Sequence, residues 1–82
     1  MIMYERLLTV VSRIIGVSKE SLSENSSQEN VEFWDSFAHM NLILALEEEF
    51  KVSFTDVEIT RIENIKDIID VLKEKNISGN EL

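Results

Sequence analysis

Apolar residues recur at helical spacing in three stretches of the chain and thin out between them. Met3, Leu7, Leu8, Val11, Ile14 and Ile15 follow one another at intervals of four, one, three, three and one, the repeat of a single helix face. The spacing predicts a helix over 2–15, closed by Gly16 at the position where a left-handed residue commonly ends a helix. From Val17 to Trp34 the chain turns polar, with Ser18, Ser21, Ser23, Asn25, Ser26, Ser27, Gln28 and Asn30. Connections of this length are usually functional or pinned by a few apolar side chains. Val17, Leu22, Val31 and Phe33 are the candidate anchors, and Ser18 to Ser21 can form one helical turn.

A second helix opens at Asp35-Ser36-Phe37 and runs on to Glu47-Glu48-Glu49-Phe50. Asp35 is suited to the N-cap, where its carboxylate accepts from backbone N–H groups of the first turn. Ser36 follows in that turn, its hydroxyl expected to face solvent beside the positive end of the helix dipole. At about 100° per residue, with Ser36 at zero, His39, Leu42, Ile43, Leu46 and Phe50 fall between about 240° and 340°, a core stripe. Ser36, Met40, Leu44 and Glu47 fall between about zero and 80°, with Phe37 and Glu48 just beyond. A purely structural helix has no need of that second face, where exposed apolar groups and carboxylates surround one hydroxyl.

Past the second helix, Lys51 to Phe54 form a short connection that offers Val52 and Phe54 to the core. Thr55 with Glu58 three residues on has the form of a capping box and predicts a short third helix to about Arg61. Asn64 is placed to cap a fourth helix with the stripe Ile65, Ile68, Ile69 and Leu72, and Lys73 and Lys75 sit where the dipole favours cations. Residues 77–82 are expected to be a frayed tail. No stretch sustains a period of two. The expected fold is all-α, one domain over 1–82: a small four-helix bundle of three longer helices and one short one, with a long loop between helices 1 and 2.

Composition narrows the partners. Sixteen acids against eight bases leave a net charge of −8, which disfavours nucleic acid and anionic membranes and favours proteins with basic surfaces. There is no cysteine for a disulfide or a thiolate metal site. Glu5, Arg6 and Arg13 interrupt the N-terminal apolar residues, so neither a signal peptide nor a membrane span is expected. The expectation is a cytoplasmic monomer.

Catalytic chemistry has few candidates. His39, the single histidine, lies three residues after Ser36. A nucleophilic serine needs a base within reach and a third group to orient that base. In projection His39 lies about 60° from Ser36, on the core side, which points to packing rather than catalysis. Glu47, Glu48 and Glu49 diverge around the helix and cannot converge on one metal ion. Ser36 on its own residue context is either a helix-capping serine or a modified one. Phe37, Met40 and Leu44 are candidates to dock in apolar pockets, with Glu47 and Glu48 pairing with Arg or Lys at the rim. Asp56 and Glu58 are candidates to extend that acidic edge.

Asp35-Ser36-Phe37, followed by Leu42 and Ala45-Leu46-Glu47-Glu48-Glu49-Phe50, resembles the acyl carrier protein family, whose Asp-Ser-Leu signature opens the second helix of a four-helix bundle. The resemblance covers nearly the whole chain. It implies that Ser36, beside Asp35, carries 4'-phosphopantetheine. A phosphopantetheinyl transferase would drive the Ser36 oxygen onto the pyrophosphate of coenzyme A. The resulting arm would hold an acyl or aminoacyl group as a thioester, for a loading ligase and downstream transferases or synthases. It further implies a carrier that is not an enzyme, and a bundle that could shelter acyl cargo between helices two, three and four. Trp34 replaces the glycine usual in fatty acid synthesis, Phe37 replaces leucine, and Ala38 and Asn41 stand where acids are frequent. A Trp-Asp-Ser opening followed by histidine is more similar to stand-alone carriers of specialised pathways: polyketide, nonribosomal peptide, amino-acid-loading or cell-surface polysaccharide chemistry. The rival reading is an unmodified acidic adaptor that binds a partner helix through the Met40 and Leu44 face.

Overall fold

The computed structural model describes residues 2–75, and among them the chain forms four α-helices. These are α1 (Ile2–Ile15), α2 (Ser36–Phe50), α3 (Asp56–Arg61) and α4 (Ile65–Glu74), with one 3-10 turn at Lys19–Ser21 in the connection between α1 and α2. Apart from an isolated antiparallel bridge between Ser27 and Asn64, no β pairing occurs among the described residues. The all-α expectation and the four-helix order hold; the expected frayed tail at 77–82 lies outside the described residues.

Each helix boundary follows from a local rule. Gly16 takes φ +86 at the end of α1, a conformation open to glycine because it has no Cβ. Asp35, Thr55 and Asn64 each adopt extended backbone and accept a backbone N–H from the turn they cap, at Ala38, Glu58 and Asp67. Thr55 and Glu58 complete the reciprocal capping box. Lys51 ends α2 in the left-handed region (φ 56) without being glycine, and its N–H bonds to the Glu47 carbonyl, which offsets the steric cost of that backbone.

The core gathers Met3, Leu7, Val10 and Val11 from α1, Leu42, Ile43 and Leu46 from α2, and Ile65, Ile68, Val71 and Leu72 from α4. Ile62, between α3 and α4, joins them. Backbone packing is most extensive between α1 and α2. At the far end of α2 the half-buried Arg6 donates from Nε to the Glu49 carboxylate at 2.9 Å and from Nη2 to the Glu49 carbonyl at 2.9 Å. Its guanidinium lies 4.7 Å from the centre of the Phe50 ring, a cation–π contact that adds to the ion pair.

The long connection is pinned, though not entirely by the expected residues. Leu22 is buried, and Val17 and Val31 pack partly against the core. Phe33, expected as an anchor, is 59% exposed, whereas its neighbour Trp34 is 1% exposed. The Trp34 N–H bonds to the Val31 carbonyl at 3.0 Å, closing a turn ahead of the Asp35 cap, and that turn delivers the larger aromatic inward. Polar side chains brace the rest of the loop. Ser23 N–H donates to the buried Ser26 hydroxyl, Ser27 N–H to Asn30 Oδ1, and Asn30 Nδ2 to the Asn25 carbonyl. The loop then docks on α4, where Ser26 and Glu24 carbonyls accept the N–H groups of Ile65 and Lys66, both at 3.0 Å. These are donors that the helix itself cannot satisfy.

The two adjacent aromatics differ sharply in what they hold. Trp34→Ala should destabilise the fold by about 3–5 kcal/mol, whereas Phe33→Ala should stay within about 0.5 kcal/mol of the parent. Urea unfolding followed by far-UV circular dichroism checks both.

Candidate functional site

Asp35 sets the site by capping α2. Its backbone is extended (φ −94, ψ −175) and its Oδ1 accepts the Ala38 N–H at 2.8 Å. Ser36 is therefore the first residue of a 15-residue helix, exposed and at its positive end. Among the described residues no hydrogen bond engages its hydroxyl. An exposed, uncommitted hydroxyl beside helix N–H groups fits the attachment of an anionic phosphodiester.

The other candidate residues divide by exposure and bonding. Phe37, Met40 and Leu44 are 79%, 47% and 61% exposed, and Phe33 and Val57 add further exposed apolar surface from the loop and from α3. Phe33 and Val57 were not among the expected recognition residues, since loop and short-helix positions give no period to assign a face. Glu48 and Asp56 are exposed. Glu47 is not simply a rim carboxylate: its Oε2 accepts the Phe54 N–H at 2.8 Å and steadies the turn after α2. Glu58 likewise faces inward to partners, accepting the Thr55 N–H at 2.9 Å and lying 2.7 Å from the Lys75 ammonium. Lys75 also sits 5.4 Å from the centre of the Phe54 ring. These contacts hold α3 between the end of α2 and the end of α4.

His39 is buried, as its projection implies, and both ring nitrogens are engaged. The Trp34 indole N–H donates to its Nδ1 at 3.1 Å, and its Nε2 donates to the Ile59 carbonyl of α3 at 3.3 Å. The hydrolytic pairing with Ser36 is thereby set aside, because the imidazole has no nitrogen left to take a proton from the serine. Sequence reasoning found the side of His39 but neither partner. A tryptophan five residues before a core-facing histidine, in a segment lacking a regular period, was the available signal. Among the described residues no group of three or more His, Cys, Asp or Glu could hold a metal ion.

A polar-capped helix that presents an exposed, unengaged serine is compatible with a covalently modified carrier domain. The phosphopantetheine attachment site family matches residues 5–72 of the chain. Among curated proteins, the acyl carrier protein of Cyanidium caldarium is 28% identical over 71 residues, spanning 87% of this chain and 83% of that protein. The acyl carrier protein of Guillardia theta is 26% identical over 72 residues, spanning 88% and 89%. That of Buchnera aphidicola subsp. Schizaphis graminum is 26% identical over 72 residues, spanning 88% and 91%. The chain belongs to the acyl carrier protein family of phosphopantetheine-binding domains. It is a carrier rather than an enzyme, and its cofactor is covalently attached 4'-phosphopantetheine.

The Lys75 ammonium, followed by the Thr55 N–H, holds the Glu58 carboxyl below its ordinary value of 4.5. A lowered carboxyl pKa contributes stability that is present above the unfolded value and lost as pH falls through the folded one. Glu58→Gln should therefore lower Tm at pH 7, and the gap from the parent should narrow steadily as pH drops below 4.5. Thermal melts across that range read the difference directly.

Proposed function

We propose that Ser36 is the residue that carries 4'-phosphopantetheine, and that the domain presents a thioester-bound acyl or aminoacyl group to the enzymes of a dedicated biosynthetic pathway. The observation that carries this reading is the exposed, unengaged Ser36 hydroxyl at the start of α2, within the matched span 5–72. When bound, the arm supplies a terminal thiol that holds the cargo as a thioester.

The chain's own residues have distinct parts in this. Asp35 fixes where α2 begins and so where the Ser36 oxygen stands; its carboxylate faces the helix N–H of Ala38. The first-turn N–H groups and the helix dipole favour the phosphodiester charge at Ser36. Phe37, Met40 and Leu44 form the apolar docking surface for a phosphopantetheinyl transferase, a loading ligase and downstream enzymes. Met40 suits a surface that several partners must fit, because its side chain is flexible and polarizable. Glu48 and Asp56 supply acidic rim positions, and Glu47 contributes with the oxygen that Phe54 does not take. The net charge of −8 favours encounter with basic partners. Among the described residues no helix is long and apolar enough to cross a membrane.

The departures at Trp34, Phe37, Ala38 and Asn41 favour a specialised pathway over housekeeping fatty acid synthesis. The unmodified adaptor gives way to this reading because the family to which the chain belongs binds phosphopantetheine.

Incubation with coenzyme A and a broad-specificity phosphopantetheinyl transferase tests the assignment by intact mass. The parent should gain one phosphopantetheine arm and Ser36→Ala should gain none, while both keep the same far-UV spectrum. A gain in Ser36→Ala, or none in a folded parent beside a control carrier that is modified, overturns it.

A further inference from the structure

Two residues that flank Ser36 form a closed polar bridge inside the bundle. Trp34 lies two positions before the serine and His39 three after it, and both are buried. Their rings meet edge to edge, with centroids 6.2 Å apart and planes 23° from parallel. The indole N–H can only donate and the Ile59 carbonyl can only accept. One neutral tautomer of His39, protonated at Nε2, satisfies both at once. The bridge thus joins the segment before Ser36, the first turns of α2, and α3.

We propose that this bridge is a clasp that closes the bundle between α2 and α3 and keeps aliphatic cargo outside it, so that this carrier is matched to short or polar acyl groups presented in the open. The proposal rests on the attachment of the arm to Ser36. A hydrocarbon chain passing from Ser36 into the core between α2 and α3 has to part His39 from Ile59, a bond whose tautomer the Trp34 N–H fixes. Each parted group is then a polar atom in an apolar interior, which is unfavourable without a new partner, and hydrocarbon supplies none. Beneath the clasp Leu42, Leu46, Ile62, Ile68 and Leu72 are each 1% exposed or less, so a chain would also have to displace packed side chains. Surface hollows of about 210, 410 and 480 Å³ do exist. They are lined mainly by polar and charged residues, such as Arg13 and Lys19 in one and Lys66 and Asp70 in another. None is lined by a residue of the Ser36 end of α2 or of α3. An acyl group that is short, or that carries hydroxyl or amino substituents, loses little by remaining in water, whereas a long alkyl chain forgoes its burial.

The test loads the full chain with amide-linked acetyl, butyryl, octanoyl and palmitoyl pantetheine, donated by the corresponding coenzyme A analogues, and confirms each product by mass. Tm is then read across the series, together with the emission of Trp34, the one tryptophan. In the parent, Tm should stay within about 1 °C from acetyl to palmitoyl and the emission should not move. In Trp34→Phe, which keeps an aromatic ring and loses the N–H, Tm should rise by about 4 °C or more from acetyl to octanoyl as the chain enters. His39→Gln, read by Tm and by Trp34 emission, gives the same reading should Trp34→Phe fail to fold. A parent whose Tm climbs and whose emission shifts with chain length overturns the proposal, as does a folded variant as flat as the parent. Failure to gain mass at all instead overturns the Ser36 assignment, and is thereby distinguishable from failure of the clasp.

Discussion

A buried indole N–H must be given an acceptor, and the single histidine of this chain gives it one. Leaving such a donor unpaired costs about 1–3 kcal/mol, a large share of what a domain of this size can spare. Trp34 is the largest fully buried side chain and comes from a loop rather than a helix. Its burial therefore depends on His39, and His39 depends in turn on the Ile59 carbonyl. The position of α3 follows, because a helix of only six residues has little intrinsic stability. It is held by this bond, by its capping box and by the Glu58–Lys75 contact. Among the described residues no buried side-chain polar atom lacks a partner, so the apolar core is interrupted only where the interruption is fully bonded.

The starts of α2 and α4 show how the same backbone problem receives two solutions. At α4, the N–H groups of Ile65, Lys66 and Asp67 are all taken, by Ser26 and Glu24 carbonyls and by Asn64 Oδ1. The long loop is thereby anchored, and its serines and asparagines are spent on bracing it rather than on solvation alone. At α2 the Asp35 carboxylate engages only Ala38, and the N–H groups of Ser36 and Phe37 have no protein acceptor among the described residues. One helix start is consumed by the fold. The other stays available to an anion, next to a serine.

How much of this was legible in the sequence depends on whether a local rule applied. The bounds of α1, the caps at Asp35, Thr55 and Asn64, and the glycine after α1 obey rules that need only a few neighbours, and they could be read directly. The face of His39 could be read from helical periodicity. The choice between Phe33 and Trp34 could not, because the loop has no period and the deciding contact is a turn bond from Trp34 N–H to Val31. The Trp34–His39 bond was hidden for the same reason. Glu47 marks a different limit. Projection places it on the outer face, but its side chain is long enough to fold back onto Phe54 N–H. Projection assigns directions; it does not assign the ends of long side chains.

That distinction changes the character of the proposed recognition face. Of the acids expected to frame it, Glu47 and Glu58 bond to the protein itself. Glu48 and Asp56 are the ones that remain exposed. Exposed ion pairs contribute little to affinity on their own, whereas desolvated aromatic and aliphatic anchors commonly carry most of it. The overall charge of −8 acts over longer range and raises the rate of encounter with basic partners. In the proposed docking mode the two effects are divided between different atoms: diffuse negative charge brings partners in, and the exposed side chains of Phe37, Met40 and Leu44 set how tightly they stay. A carrier that must pass from one enzyme to the next benefits from that division, because a fast approach does not then require a slow departure.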